Sequence, residues 1–210
     1  DPVGSIKRSV ALAEALAAQL VVVHPPGRWL RFQALISTPY RSRRLSLPLP
    51  VVGPGRLGRW LLDELPAFQA TTPVKVAVEN MPCRRLGPFR LDPHHFQTPE
   101  TLNRFQYLTL DTTHVGTRGV DLLQFYQQIK GRVAHIHLSN FNGNQHQLLH
   151  NGRLPLADLL ARLVNNDFAG LVCVELGPTS LQAHDETLVR KNLRDCLAFC
   201  RAALRREPAG

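Results

Sequence analysis

The stretch Val74-Lys75-Val76-Ala77-Val78-Glu79-Asn80-Met81-Pro82 decides how this chain is read. Its apolar run is too short for a helix and ends in an acid followed at once by turn residues, so Glu79 is expected at the carboxyl end of a β-strand. Leu171-Val172-Cys173-Val174-Glu175-Leu176-Gly177-Pro178 repeats the design, which puts Glu175 in the same place on a second strand. Between them lie Tyr107-Leu108-Thr109-Leu110-Asp111-Thr112-Thr113-His114 and Val133-Ala134-His135-Ile136-His137-Leu138-Ser139-Asn140. Four strands thus bring Glu, Asp, His and Glu to one rim. Continuous apolar strands separated by helical stretches imply a parallel sheet covered on both faces. Such sheets carry their chemistry at the carboxyl ends of the strands. Oxygen and imidazole donors meeting there suggest a divalent metal ion.

Outside these strands the pattern is helical. Ser5 to Leu20 reads as an amphipathic helix with Ile6, Val10, Leu12, Leu16 and Leu20 on its apolar side, leading into the strand Val21-Val22-Val23-His24. Arg56 to Phe68, Pro99 to Phe105, Val120 to Lys130 and Pro155 to Asn166 each precede one of the four strands, and Asp185 to Arg205 closes the chain. The expected fold is therefore α/β, a parallel (β/α) TIM barrel of about five strand–helix units in one domain spanning residues 1–210. A complete eight-fold barrel takes ~250 residues, so the domain is expected to be amino-terminally incomplete. Two stretches depart from the alternation. Tyr40 to Pro54, rich in Arg, Ser and Pro, and Cys83 to Pro99, with Arg84, Arg85, Arg90, His94 and His95, are expected as long rim loops, the first a possible lid.

Composition narrows the class. In 210 residues, 44% are hydrophobic and 20% charged, enough to bury one sizeable core. No apolar run approaches the ~20 residues of a membrane span. The four cysteines form no C-x-x-C knuckle, and the simplest reading is reduced thiols in a cytoplasmic protein. A net charge of +9 fits an anionic substrate, nucleic acid or an arginine-rich proteome, and does not choose among them.

Taken in order and spacing, His24-Pro25 after a valine strand, Glu79-Asn80-Met81-Pro82, Leu110-Asp111-Thr112-Thr113-His114, His135-Ile136-His137-Leu138-Ser139-Asn140, the glycine turn at Gly152 and Val174-Glu175 resemble the xylose isomerase-like TIM-barrel superfamily. That group holds sugar and sugar-phosphate isomerases and epimerases and the related apurinic endonuclease IV family. The resemblance covers nearly the whole chain.

The resemblance implies one divalent ion (Mn, Mg, Co or Zn) on Glu79, Asp111, His137 and Glu175. It also implies a sugar or polyol substrate, with Glu79 and Glu175 moving a proton between neighbouring carbons through an enediolate. His24, His114 and Arg118 are its candidate substrate contacts, with Arg28 beside Arg118 as a second site for a phosphate. His137 is expected to face the barrel interior, with His135 on the other side of the strand beneath a helix. Cys173 is expected in the core. His146 and His150 are expected in a loop, one of them a candidate to close the site, and His94, His95 and His184 on the surface. An oligomer is compatible with this reading. The runner-up is an endonuclease IV-like zinc nuclease, favoured by basic charge, His24 and His114. Against it stand Asn140 where that branch has an aspartate, the lack of an Asp-x-His pair in Gln145 to Gly152, and no basic-aromatic stripe for nucleic acid. A third reading is a barrel fragment without activity.

Overall fold

The computed structural model describes residues 1–38, 41–50, 53–87 and 89–205. Helix α1 (Pro2–Ala15) opens with Asp1 as its N-cap, whose carboxylate accepts from the Val3 N–H, and with proline in the first turn. Val3, Ile6, Val10 and Ala13, at helical spacing, are its buried face. The helix stops five residues before the expected Leu20. Ala17 takes a left-handed conformation with φ of 53°, and Leu20 already belongs to strand β1 (Leu20–Val23).

Strands β2 (Trp29–Thr38) and β3 (Arg41–Pro50) form an antiparallel hairpin. The expected rim loop from Tyr40 to Pro54 is thus mostly a strand; Tyr40 and residues 51–52 of that expectation lie outside the described residues. Helix α2 (Gly55–Arg59) passes through a π-helical turn (Trp60–Glu64) into α3 (Leu65–Gln69), burying Trp60, Leu61 and Leu65. Strand β4 (Lys75–Glu79) follows. The expected second loop contains another small hairpin, β5 (Arg84–Leu86) with β6 (Phe89–Leu91). In both hairpins the pairing is antiparallel and lies apart from the main sheet. In the first segment Leu45, Leu47 and Leu49 alternate with Ser46 and Pro48, a strand period that the Pro and Arg content masked.

Helix α4 (Pro99–Leu102) has a Thr98 N-cap, and β7 (Tyr107–Asp111) runs directly into α5 (Thr112–Arg118) and then α6 (Leu122–Ile129). Strand β8 (Val133–Leu138), α7 (Leu156–Asn165), β9 (Leu171–Val174), the short α8 (Pro178–Leu181) and α9 (Glu186–Leu204) complete the chain. Five parallel strands in the order β1-β4-β7-β8-β9 alternate with helices and curl into a half-barrel. Strand periodicity divides the residues between two faces. Val76, Val78, Leu108, Leu110, Ile136 and Leu138 are buried and belong to one core with the helices. The intervening positions, Glu79, Asp111 and His137 among them, share the other face. Among the described residues no helix is long and apolar enough to cross a membrane.

Candidate metal centre

The site is built at the carboxyl ends of adjacent strands. Glu79 ends β4, Asp111 ends β7, His137 stands one residue before the end of β8, and Glu175 follows β9. Parallel pairing sets them side by side, with Asp111 opposite His137 and His137 opposite Cys173, two residues before Glu175. One donor atom from each of the four lies within 4.8 Å of the others.

The focus is Nδ1 of His137. It lies 3.2 Å from Glu79 Oε1, 2.9 Å from Glu175 Oε2 and 3.9 Å from Asp111 Oδ2. Glu175 Oε2 is close but off the line of a hydrogen bond, and it and Asp111 Oδ2 are buried atoms without a hydrogen-bond partner. A single imidazole nitrogen has one proton at most to offer three carboxylates. Asp111 shows the strain most clearly. Its burial, with Glu79 and Glu175 as like-charged neighbours, pushes its carboxyl well above the usual range although the backbone N–H of His114 opposes this. Burial also opposes ionisation of Glu79, yet hydrogen bonds from His137 and His24 hold it at about 2. For His137 burial disfavours charge, but Glu175 and Glu79 outweigh it and raise the ring to about 10. Glu175 is lowered by its contact with His137. The unpaired oxygens and the excess of carboxylates over protons fit a divalent cation with three oxygen donors and one nitrogen.

The remaining predicted residues divide. His24 Nε2 lies 2.9 Å from Glu79 Oε2, and this contact raises its pKa. His114, buried, brings Nδ1 to 2.8 Å from the Asn80 carbonyl and 3.5 Å from both Glu79 Oε1 and Asp111 Oδ2. A carbonyl only accepts, so Nδ1 carries the proton, and burial holds the ring neutral with a pKa of about 4. Arg118 is engaged elsewhere. Its Nη2 binds Asp92, the Met81 carbonyl and Gln97, which braces the segment after β4, while its buried Nε has no hydrogen-bond partner. Arg28 is tied through Nε to the His94 carbonyl.

Three expectations are corrected. His135 lies on the same side of β8 as His137, with the rings edge to face and their centroids 4.9 Å apart. Residues two apart on a strand share a face, so His135 sits one layer below the site and not under a helix. Cys173 is exposed, because β9 is the end strand of the five and Leu171 and Val172 beside it are exposed as well. His94 and His95 are half-buried, not surface residues, whereas His150 and His184 are exposed.

Several supporting residues were not singled out in the sequence. The Asn80 side chain donates to the Asp111 carbonyl at 3.0 Å and accepts from the Asp111 N–H at 2.8 Å, clamping β4 to the end of β7. Thr112 Oγ1 donates to the Ser139 carbonyl at 2.6 Å and accepts from the Ser139 N–H, which joins β7 to β8. His146, which the sequence did single out as a loop residue and candidate to close the site, has its ring edge-on to His114, centroids 5.6 Å apart, and Asp111, His114 and His146 form a second group of clustered donors. The signal available for Asn80 and Thr112 was their place immediately beyond Glu79 and Asp111.

No family model matches the chain. An uncharacterized protein of Mycobacterium leprae (strain TN) is 28% identical over 234 residues, covering 98% of this chain and 72% of that protein. One of Mycobacterium tuberculosis (strain ATCC 25618 / H37Rv) is 27% identical with the same coverage. A solved D-tagatose 3-epimerase-like protein superposes with a TM-score of 0.63 at 17% identity, over 93% of this chain and 67% of that one. An L-ribulose 3-epimerase gives 0.60 at 14% identity, over 100% and 72%. The chain shares the fold of these two proteins.

Proposed function

We propose that residues 1–210 form one xylose isomerase-like domain of a divalent-metal-dependent sugar isomerase or epimerase. The observation that carries the reading is His137 Nδ1 facing Glu79, Asp111 and Glu175 on the rim of a parallel half-barrel, with buried carboxylate oxygens left unpaired. The fold shared with an L-ribulose 3-epimerase and a D-tagatose 3-epimerase-like protein supports it. The four unpaired cysteines fit a reducing, cytoplasmic setting.

Glu79, Asp111, His137 and Glu175 would hold the ion, which would polarise a substrate carbonyl and lower the barrier to removing the neighbouring proton. The two glutamates come from strands at opposite ends of the β4-β7-β8-β9 series and act as the acid–base pair. One takes a proton from the carbon beside the carbonyl, leaving an enediolate, and the other returns a proton, which gives the isomer or epimer. His24, against Glu79, and neutral His114 orient substrate hydroxyls.

A second reading has one specific observation in its favour. The Asp111, His114 and His146 group offers a place for a further ion, as a multinuclear phosphodiesterase requires. One experiment separates the two: metal content measured beside activity on ketoses and on abasic DNA. About one ion per chain with solvent deuterium entering the sugar supports the isomerase. Two or three zinc ions with abasic-site incision overturns it. Replacing Glu175 by Gln is expected to abolish sugar turnover, and His184→Ala to leave it unchanged.

A further inference from the structure

Beside the candidate metal centre lies a groove of about 700 Å³, walled by residues 144–151 after β8 and 177–182 after β9. These are the loops that follow His137 and Glu175, so the groove belongs to the same rim. His146 joins the two: its carbonyl accepts from the Gly177 N–H at 2.9 Å, its own N–H donates to Thr113 Oγ1 at 3.3 Å, and its ring meets His114. The segment that walls the groove thus also carries the ring that meets His114.

The lining is chemically one-sided. Five of its ten residues are carboxamides and two are hydroxyls, and none is ionisable. In a chain that is 20% charged, ten residues would carry about two charges on average. Several of the amides are already set in place. Gln147 Nε2 donates to the Gln145 carbonyl at 3.1 Å, Asn151 Nδ2 reaches Gln147 Oε1 at 3.4 Å, and Ser180 Oγ accepts from the Leu148 N–H at 3.0 Å. A carboxamide offers a donor and an acceptor side by side, which matches the paired character of a sugar hydroxyl. A phosphate instead calls for Arg, Lys or a cluster of N–H groups. Leu148 and Pro178 supply the apolar patches that a sugar ring's C–H face needs. Ligand sites span ~300–1,000 Å³, so this groove has room for a group beyond the one held at the metal ligands.

The geometry points to a neutral glycosyl subsite: the substrate carries a further uncharged sugar ring, held by the amide-lined groove, and is not a sugar phosphate. This deepens the isomerase reading and rests on it. The groove selects by the extension attached to the reacting sugar, and its amides supply that selectivity without touching the proton-transfer residues.

Isothermal titration of the full chain tests this with D-glucose, D-glucose 6-phosphate and four neutral disaccharides: cellobiose, maltose, sucrose and trehalose. At least one disaccharide should bind tenfold or more tightly than glucose, and the phosphate no more tightly than glucose despite the net charge of +9. Asn144→Leu combined with Thr179→Val, two exposed positions, should reduce the disaccharide affinity at least tenfold with the circular dichroism spectrum unchanged. Gly131→Ala, outside the groove and the metal centre, should leave it within threefold. The subsite is refuted if no disaccharide exceeds glucose, if glucose 6-phosphate is the tightest ligand, or if the double variant binds as well as the parent. Ketose isomerisation without disaccharide preference removes the subsite alone. Disaccharide binding without deuterium exchange into any sugar removes the isomerase reading alone.

Discussion

Nδ1 of His137 stands 2.9 Å from Glu175 Oε2 in the same cluster where it meets Glu79 Oε1 at 3.2 Å. A single ring nitrogen therefore links strands β4 and β9 through a position where either a proton or a metal ion neutralises the carboxylates. The competition between those two occupants makes the site's behaviour testable.

Without metal, the His137 ring titrates at about 10 in the folded chain. Its folded pKa lies above the unfolded ~6.5, so its stabilisation is complete below about 6.5 and is lost as pH rises through about 10. Thermal melts of the metal-free protein should show this alkaline decline, and His137→Gln should melt lower at pH 7 with a flatter slope between pH 7 and 10. Glu79 behaves oppositely at the acid end: at about 2 in the folded chain, it stabilises above ~4.5 and loses this as pH falls through 2.

Metal must displace that proton. Binding of Mn or Zn at pH 7.5 should release about one proton per ion, read as a dependence of the titration enthalpy on the buffer's ionisation heat. An enthalpy that is identical in phosphate-free buffers of high and low ionisation heat would show that His137 holds no proton there.

Asn80 is almost wholly buried and satisfies both backbone groups of Asp111. Asn80→Leu keeps the volume but orphans an N–H and a carbonyl, each costing ~1–3 kcal/mol. Urea denaturation should show a loss of about 3 kcal/mol, and metal affinity should fall with it because Asp111 is no longer held. Wild-type stability in this variant would mean that the clamp is dispensable.

A Cβ on Gly152 would come within 2.2 Å of Asn140 Oδ1. That amide oxygen accepts from the N–H groups of Phe141 and Leu154, and the amide nitrogen donates to the Leu149 carbonyl, so it cannot yield without unmaking the loop. Gly152→Ala should cost about 2 kcal/mol, in the usual range for an overpacked site. Gly131→Ala, where a Cβ meets nothing within 4 Å, should be neutral or slightly stabilising.

His24 has its side chain 64% exposed and touches Glu79 alone among the clustered acids. In His24→Asn the metal content should stay near the parent value while turnover falls tenfold or more, since an orienting or proton-transfer group typically contributes 10²–10⁴-fold. Loss of the metal itself would make His24 a ligand.

The strands and the gathering of Glu79, Asp111, His137 and Glu175 on one rim were legible because their signal is local. A short apolar run ending in an acid and a turn marks a strand terminus wherever it occurs, and parallel neighbours in an α/β sheet necessarily collect those termini on one rim. The expected strands match β1, β4, β7, β8 and β9 to within one or two residues. The placement of His135 was also within reach of local geometry, since two-residue spacing alone puts it beside His137.

Other features depend on residues far apart in the chain. Asn80 bonds to a backbone 31 positions away, and Arg118 is drawn from the site by Asp92 and the Met81 carbonyl. Asn140 shows the difference well. In the sequence it is an aspartate replaced, but in the fold only an amide can both donate to Leu149 and accept from Phe141 and Leu154, which seats the loop that carries His146. The sequence by itself determined which strands end in donors and on which rim they gather, because backbone periodicity is set residue by residue. Only the tertiary structure decided which polar groups are held, which are left unpaired and where the uncharged groove opens, because hydrogen-bond partners and packing are set by whichever segments the completed fold brings within about 3 Å.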